Sequence, residues 1–211
     1  MYRIVKKAIS KELAKFCYDY FYTKRKVARF FLDTKRFSFG NSSLNKIVEL
    51  FGWGKWEDSQ IPNTYNNYGD VAIETLLLKL QPLIEAETGM QLSPTYTYAR
   101  IYKKGDILKR HKDRFSCEIS ATLNLGGDPW PIFLEPTGKE GEEGISILLQ
   151  SGDLLIYEGC KLEHWRETFK GEICSQAFLH YNDLSSNKAE ENKYDKRPFI
   201  GLPAFFIENN L

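Results

Sequence analysis

Three side chains, His111, Asp113 and His164, have the types and spacing that could do chemistry. His111-Lys112-Asp113 is an H-x-D tripeptide. In an extended segment, positions i and i+2 project to the same side, so one strand end or turn can offer an imidazole and a carboxylate to one ion. His164 lies well downstream, at the end of another strand candidate. Two imidazoles and a carboxylate on one face of an octahedral ion leave three positions open. With 3 His and 10 Asp in 211 residues, roughly 0.14 such tripeptides arise by chance, so H-x-D says little alone. A surface histidine in the basic run Lys109-Arg110-His111-Lys112 would account for His111, and a half-buried imidazole beside Trp165 for His164.

The combination points further. Three open positions suit a chelating cosubstrate at two and O₂ at the third, the arrangement of non-haem Fe(II) oxygenases. The same residue types could serve a catalytic zinc, but the H-E-x-x-H of helical zinc peptidases is absent. Iron is therefore expected, with zinc or a cupin-like metal as the minor alternative. His180, in FLHY, should face opposite to Tyr181 and is read as structural.

The elements that must position these residues are helices first and strands second. Residues Ser10 to Leu32 read as a helix capped by Ser10, with Leu13, Phe16, Cys17, Tyr20, Val27 and Phe31 on its apolar side. Phe37 to Asn67 is turn-rich. Asp70 looks like the N-cap of a second helix running toward Glu87 and stopped by Gly89, with Leu76, Leu77, Leu80, Leu83 and Ile84 inward and Pro82 kinking or dividing it. From Tyr96 the period becomes two, placing Tyr96, Tyr98, Arg100 and Tyr102 on one face. CEISATLNL, PIFLEP, GISILL, DLLIYEG, KLEHW and ICSQAFLHY follow as short strands between turn signals. The fold class expected is mainly β with N-terminal helices, an α+β chain built on a double-stranded β-helix, or jelly-roll, buttressed by helices. Residues 1–90 form the helical and irregular part, 91–183 the β-helix core, and 184–211 a linker and docking tail, one domain in all. SSNKAEENKYDKR reads as solvated linker and PFIGLPAFFI as apolar enough to dock back.

Composition narrows the classes. Lys+Arg is 29 and Asp+Glu 28, for a net charge of +1, so the chain lacks the global electrostatic footprint of a nucleic-acid binder. The four cysteines, Cys17, Cys117, Cys160 and Cys174, make no C-x-x-C pair and suit free thiols of a reducing compartment. MYRIVKKAIS is followed by no apolar stretch of a secretory signal, and no apolar run approaches ~20 residues. A cytoplasmic protein, of a bacterial or phage-host cell, is expected, with no membrane partner.

RIYKKGDILKRHKDRFSCEISATLNLG, GDLLIYEGCKLEHWRE and QAFLHYN together resemble 2-oxoglutarate/Fe(II)-dependent dioxygenases, nearest the prolyl-4-hydroxylase-like branch of a bacterial and phage group. The resemblance spans Tyr96 to Asn182. It implies a double-stranded β-helix with the metal at its open end, and oxidation of 2-oxoglutarate to succinate and CO₂ coupled to hydroxylation. It makes His111, Asp113 and His164 the metal ligands and catalytic centre, and it assigns Tyr102 and Thr122 to the cosubstrate. The implied cofactors are Fe(II), 2-oxoglutarate and O₂, with ascorbate as an auxiliary reductant. The substrate is a small molecule or a peptidyl side chain. A non-catalytic jelly-roll binding module and a nucleic-acid demethylase on the same fold are the alternatives.

One departure stands out. Such enzymes carry an Arg or Lys on the strand after the distal histidine, where this chain has Ile173-Cys174-Ser175-Gln176. A buried carboxylate still needs a charge-assisted partner. Arg166, two residues beyond His164, and Arg100, on the face of Tyr102, are equal candidates, although Arg166 could instead pair with Glu163 or Glu167. Lys109, Arg114, Trp130, Tyr157 and Trp165 are expected around the substrate entrance.

Overall fold

The structure, a computed structural model, describes residues 1–34, 48–49 and 51–207. Part of the turn-rich stretch, including Gly40 and Asn41, lies outside the described residues. The elements run β1 (Tyr2–Val5), α1 (Lys11–Thr34), β2 (Tyr65–Tyr68), α2 (Val71–Thr88), β3 (Leu92–Lys103), β4 (Leu108–His111), β5 (Ile119–Gly127), β6 (Ile132–Leu134), β7 (Ile145–Ile147), β8 (Leu154–Glu158), β9 (His164–Arg166) and β10 (Ile173–Asp183). Among the described residues they build two antiparallel sheets. The larger has the order β1-β8-β5-β10-β3-β2 and the smaller β4-β9-β6-β7. The double-stranded β-helix expected from the sequence is present as two facing sheets rather than a closed barrel.

Strand period two divides the large sheet into two environments. Ile119, Ala121, Leu123 and Leu125 of β5, with Ala177, Leu179 and Tyr181 of β10, pack in one core with the helices. The alternate positions face the small sheet: Leu155 and Tyr157 of β8 join a second core there, and Tyr102 and Cys174 a third. His180 and Tyr181 accordingly lie on opposite faces.

Ser10 caps α1, its hydroxyl accepting from the Leu13 amide at 3.1 Å. Of the expected stripe of α1, Cys17 is buried and Leu13, Tyr20 and Phe31 pack on the core, with Ala14, Phe21 and Ala28 buried beside them, while Phe16 is exposed. Small residues at 14 and 28 let the helix axis approach the sheet, a packing advantage that hydrophobicity alone does not reveal. Asp70 caps α2 through Ala72 and Ile73, and left-handed Gly89 ends it. Pro82 does not divide α2. The carbonyl it leaves without an amide belongs to Leu78, on the exposed side where water can serve it.

β1 and β2 were not anticipated. β2 is Tyr-Asn-Asn-Tyr, a poor strand composition, made tolerable because Asn66 donates to the Thr64 carbonyl and Asn67 to the Gly52 carbonyl. The tail also departs from expectation. The segment read as solvated linker holds Ala189, Asp195 and Arg197 buried. Arg197 meets Glu74 of α2 at 2.7 Å, and Asp195 accepts from Tyr68 at 2.7 Å and Arg114 at 2.8 Å. Ile200 packs on the core, while Phe199 and Phe205 point outward. Ion pairs, more than apolar burial, fasten the tail. No described helix is long and apolar enough to cross a membrane.

Candidate metal centre and cavity

β4 and β9 bring the two histidines together. His111 and His164 are register partners, with ring centroids 4.3 Å apart. His111 Nδ1 lies 2.7 Å from the Lys109 carbonyl and His164 Nδ1 3.1 Å from that of Leu162. A carbonyl only accepts, so each Nδ1 carries the proton and each Nε2 keeps its lone pair. The loop after β4 adds Asp113, whose Oδ1 lies 3.7 Å from His111 Nε2 and 3.6 Å from His164 Nε2. Three ligand atoms thus converge within 4.8 Å of one another. Burial pushes the His111 imidazole below its ordinary range, with His164 adding to the effect. Burial would raise the Asp113 carboxyl, but His164, His180 and the Ser120 hydroxyl together hold it down to about 2. An ionised carboxylate beside two imidazoles that present Nε2 is the donor set a divalent cation requires.

Asp113 is itself held. Its amide donates to the Gly159 carbonyl at 2.9 Å, and its Oδ2 accepts from Ser120 Oγ at 2.8 Å. His180 Nδ1 lies 3.1 Å from the same Oγ. Because the Ser120 proton points to Asp113, His180 donates, giving a relay His180 to Ser120 to Asp113. His180 is therefore more than a packing residue. Burial holds its imidazole down to about 4. Ser120 shares the inward face of Thr122, so period two could have found it in the sequence.

Above the triad opens a cavity of about 500 Å³, lined among others by Tyr96, Tyr98, Arg100, Tyr102, Arg114 and Tyr157. Thr122 is buried on β5, opposite Phe178 of β10. Of the expected entrance residues, Arg114 and Tyr157 line the cavity. Trp130 packs against Tyr102, and Trp165 stacks on Phe133. Lys109 is absent from the lining and enters the site through its carbonyl. A larger cleft of about 810 Å³ near the start of α1 is lined by Lys6, Lys7, Lys11 and Lys15 and contains none of the triad.

The two arginines prove unequal. Arg100 Nη2 pairs with Asp58 Oδ2 at 2.5 Å. Arg166 is fully buried, donates through Nη1 to the Trp130 carbonyl, and leaves Nε and Nη2 without partners. Neither glutamate proposed for it is used: Glu163 pairs with Arg110, and Glu167 offers only its carbonyl, to Trp130. Burial without a counter-charge pushes the Arg166 guanidinium down. It lies over the Trp130 ring, 5.0 Å from the centroid, and Trp130 contacts Tyr102. Arg166 does not line the cavity and lies behind Tyr102 and Trp130, and its Nε and Nη2 are left without a partner in a buried setting that disfavours an unpaired charge.

No family profile and no curated protein matches the sequence. Solved structures do. A prolyl-4-hydroxylase from Pseudomonas putida superposes with a TM-score of 0.56 at 13% identity, covering 86% of this chain and 92% of that one. HygX from Streptomyces hygroscopicus, solved with nickel and 2-oxoglutarate bound, gives 0.54 at 12% identity, over 87% and 83%. The non-heme alpha-ketoglutarate-dependent epimerase SnoN of nogalamycin biosynthesis gives 0.57 at 12%, over 86% and 78%. The chain has the fold of the 2-oxoglutarate/Fe(II) oxygenases. Against that oxygenase fold, the stretch after the distal histidine keeps its departure: β10 presents Cys174 and Gln176 where a cation was expected, with Gln176 Oε1 buried and unpartnered.

Proposed function

We propose that this protein is an Fe(II)- and 2-oxoglutarate-dependent dioxygenase that hydroxylates a small-molecule or peptidyl substrate, releasing succinate and CO₂. The observation that carries the reading is the convergence of two Nε2 lone pairs on one Asp113 oxygen, with both Nδ1 atoms tied to carbonyls. His111, Asp113 and His164 would hold the iron. Bound there with O₂ and 2-oxoglutarate, iron supplies the oxidising power that couples decarboxylation to C–H hydroxylation.

The protein's own residues bind and orient. Arg166 is assigned the far carboxylate of 2-oxoglutarate, because its two orphaned N–H groups offer the fork that a carboxylate matches. Tyr102, fully buried between the charges of Arg100 and Arg166, is assigned a hydrogen bond to the same cosubstrate, and Thr122, buried on β5 of the same sheet, a further contact with it. The Ser120–His180 relay keeps Asp113 in one rotamer. The nucleic-acid alternative gains nothing, since Lys24 and Arg29 of the basic helix stretch are paired with Asp70 and Asp33.

Anaerobic titration of Fe(II) with 2-oxoglutarate tests the reading. A weak visible charge-transfer band that disappears in Asp113→Ala is expected. An empty spectrum with wild-type protein contradicts it.

A further inference from the structure

Arg100 carries a second recognition feature that the oxygenase reading does not use. It stands on the cavity face of β3, 3% exposed, between Tyr98 and Tyr102. Its counter-charge is local: Asp58 comes from the short turn at residues 57–60, not from the sheet. Asp58 Oδ2 receives Arg100 Nη2 at 2.5 Å and also the Tyr98 hydroxyl. Its other oxygen closes the turn, accepting from the Gln60 amide at 2.7 Å and the Ile61 amide at 3.2 Å. Ile61 is buried and anchors the end of the turn, whereas Ser59 and Gln60 are exposed.

The turn also reaches the metal centre. Gln60 Oε1 accepts from both Arg100 nitrogens at 3.3 Å, and Gln60 Nε2 lies 3.1 Å from His111 Nε2. With His111 Nδ1 committed to the Lys109 carbonyl, Nε2 accepts here. The lone pair that a cation needs is therefore engaged by Gln60. A cation on His111 and the seated turn compete. With the turn lifted, Asp58 would leave with it, and Arg100, still beside Tyr98 and Tyr102, would face the cavity without an anion. A buried guanidinium in that state strongly favours a replacement anion.

We propose that Arg100 and Tyr98 form a receptor for a carboxylate of the substrate, and that Asp58 occupies this receptor until the substrate arrives. The ligand class follows from the present occupant. One carboxylate oxygen, Asp58 Oδ2, already accepts from both a guanidinium nitrogen and a phenol hydroxyl, which are charge-assisted and neutral donors that any carboxylate can take up. That the incoming carboxylate belongs to substrate rather than cosubstrate rests on the assignment of 2-oxoglutarate to Arg166.

Benzoate, with benzamide as its uncharged control, probes the receptor in metal-free full-length protein by calorimetry. Asp58→Asn is expected to bind benzoate at least about tenfold more tightly than wild type, a gain abolished by adding Arg100→Gln, and benzamide should bind none of them. If Asp58→Asn is too unstable alone, benzoate but not benzamide should raise its melting temperature. In parallel, Gln60→Ala, which leaves Asp58 in place, should bind Zn(II) roughly fivefold more tightly by relieving the competition at His111. Benzoate affinity unchanged by Asp58→Asn, or persisting without Arg100, overturns the receptor. Zn(II) affinity unchanged by Gln60→Ala overturns the competition. Failure of wild type to bind Zn(II) at all would sink the oxygenase reading instead, because the benzoate measurement needs no metal.

Discussion

His111 and His164 are cross-strand partners whose Nε2 atoms turn to the same oxygen of Asp113, at 3.7 and 3.6 Å. With the three ligands already gathered, a divalent cation should bind once it displaces the single Gln60 contact on His111 Nε2. At Zn(II) concentrations near 100 times the dissociation constant, the folded state gains about 2.7 kcal/mol. For a chain of this size that corresponds to a melting shift of roughly 5–10 °C. Differential scanning fluorimetry should show that shift in wild type and lose it in Asp113→Ala. An equal shift in the variant would rule out Asp113 as a ligand.

Replacing Arg166 should separate stability from binding. The side chain is buried, without an acidic partner, and leaves Nε and Nη2 unsatisfied. Arg166→Met removes that burden, so the metal-free protein should melt higher than wild type. The same change should weaken 2-oxoglutarate binding to the Zn(II) protein by about 3 kcal/mol, or roughly 150-fold. Calorimetry and thermal melts read the two effects separately. A lower melting temperature with unchanged 2-oxoglutarate affinity would show that Arg166 is structural.

His180 should give the protein a pH-dependent stability. Burial lowers its imidazole from 6.5 to about 4, so between those values the unfolded chain takes up a proton that the folded protein refuses. Stability is thus complete above pH 6.5 and falls as the pH drops toward 4, by up to about 3 kcal/mol. His111, also lowered, adds in the same direction. Urea unfolding at pH 7 and 4.5 should show His180→Gln losing about 2 kcal/mol less than wild type across this interval. Identical losses would place the titrating group elsewhere.

The tail clamp is testable through Arg197 and Glu74, which are 0% and 1% exposed and 2.7 Å apart. Arg197→Met strands a buried carboxylate and should cost about 3–5 kcal/mol, with much of it recovered in the Glu74→Gln, Arg197→Met double variant. A single-variant cost below about 1 kcal/mol in urea unfolding would contradict the clamp.

Much of this architecture was legible because periodicity reports burial directly. Tyr96, Tyr98, Arg100 and Tyr102 share the cavity face as their alternation required, and His111, Asp113 and His164 meet as their types suggested. What stayed hidden depended on long-range partners. Nothing local marks Asp58 and Gln60 as neighbours of β3 and His111. Arg100 and Arg166 looked alike until the structure gave one an acid and the other none. The polar stretch before Arg197 resembles linker because its buried charges find their counterparts in α2 and β2, more than a hundred residues away.

The most direct measurement of the central reading is succinate formed from 2-oxoglutarate, by mass spectrometry, with Fe(II) and air. Wild-type protein should produce succinate dependent on both iron and O₂, and Asp113→Ala should fall at least about 100-fold, the loss expected when one of three ligands to the reacting metal is removed. Succinate formation that survives Asp113→Ala, or none from wild-type protein with iron and 2-oxoglutarate demonstrably bound, would contradict it.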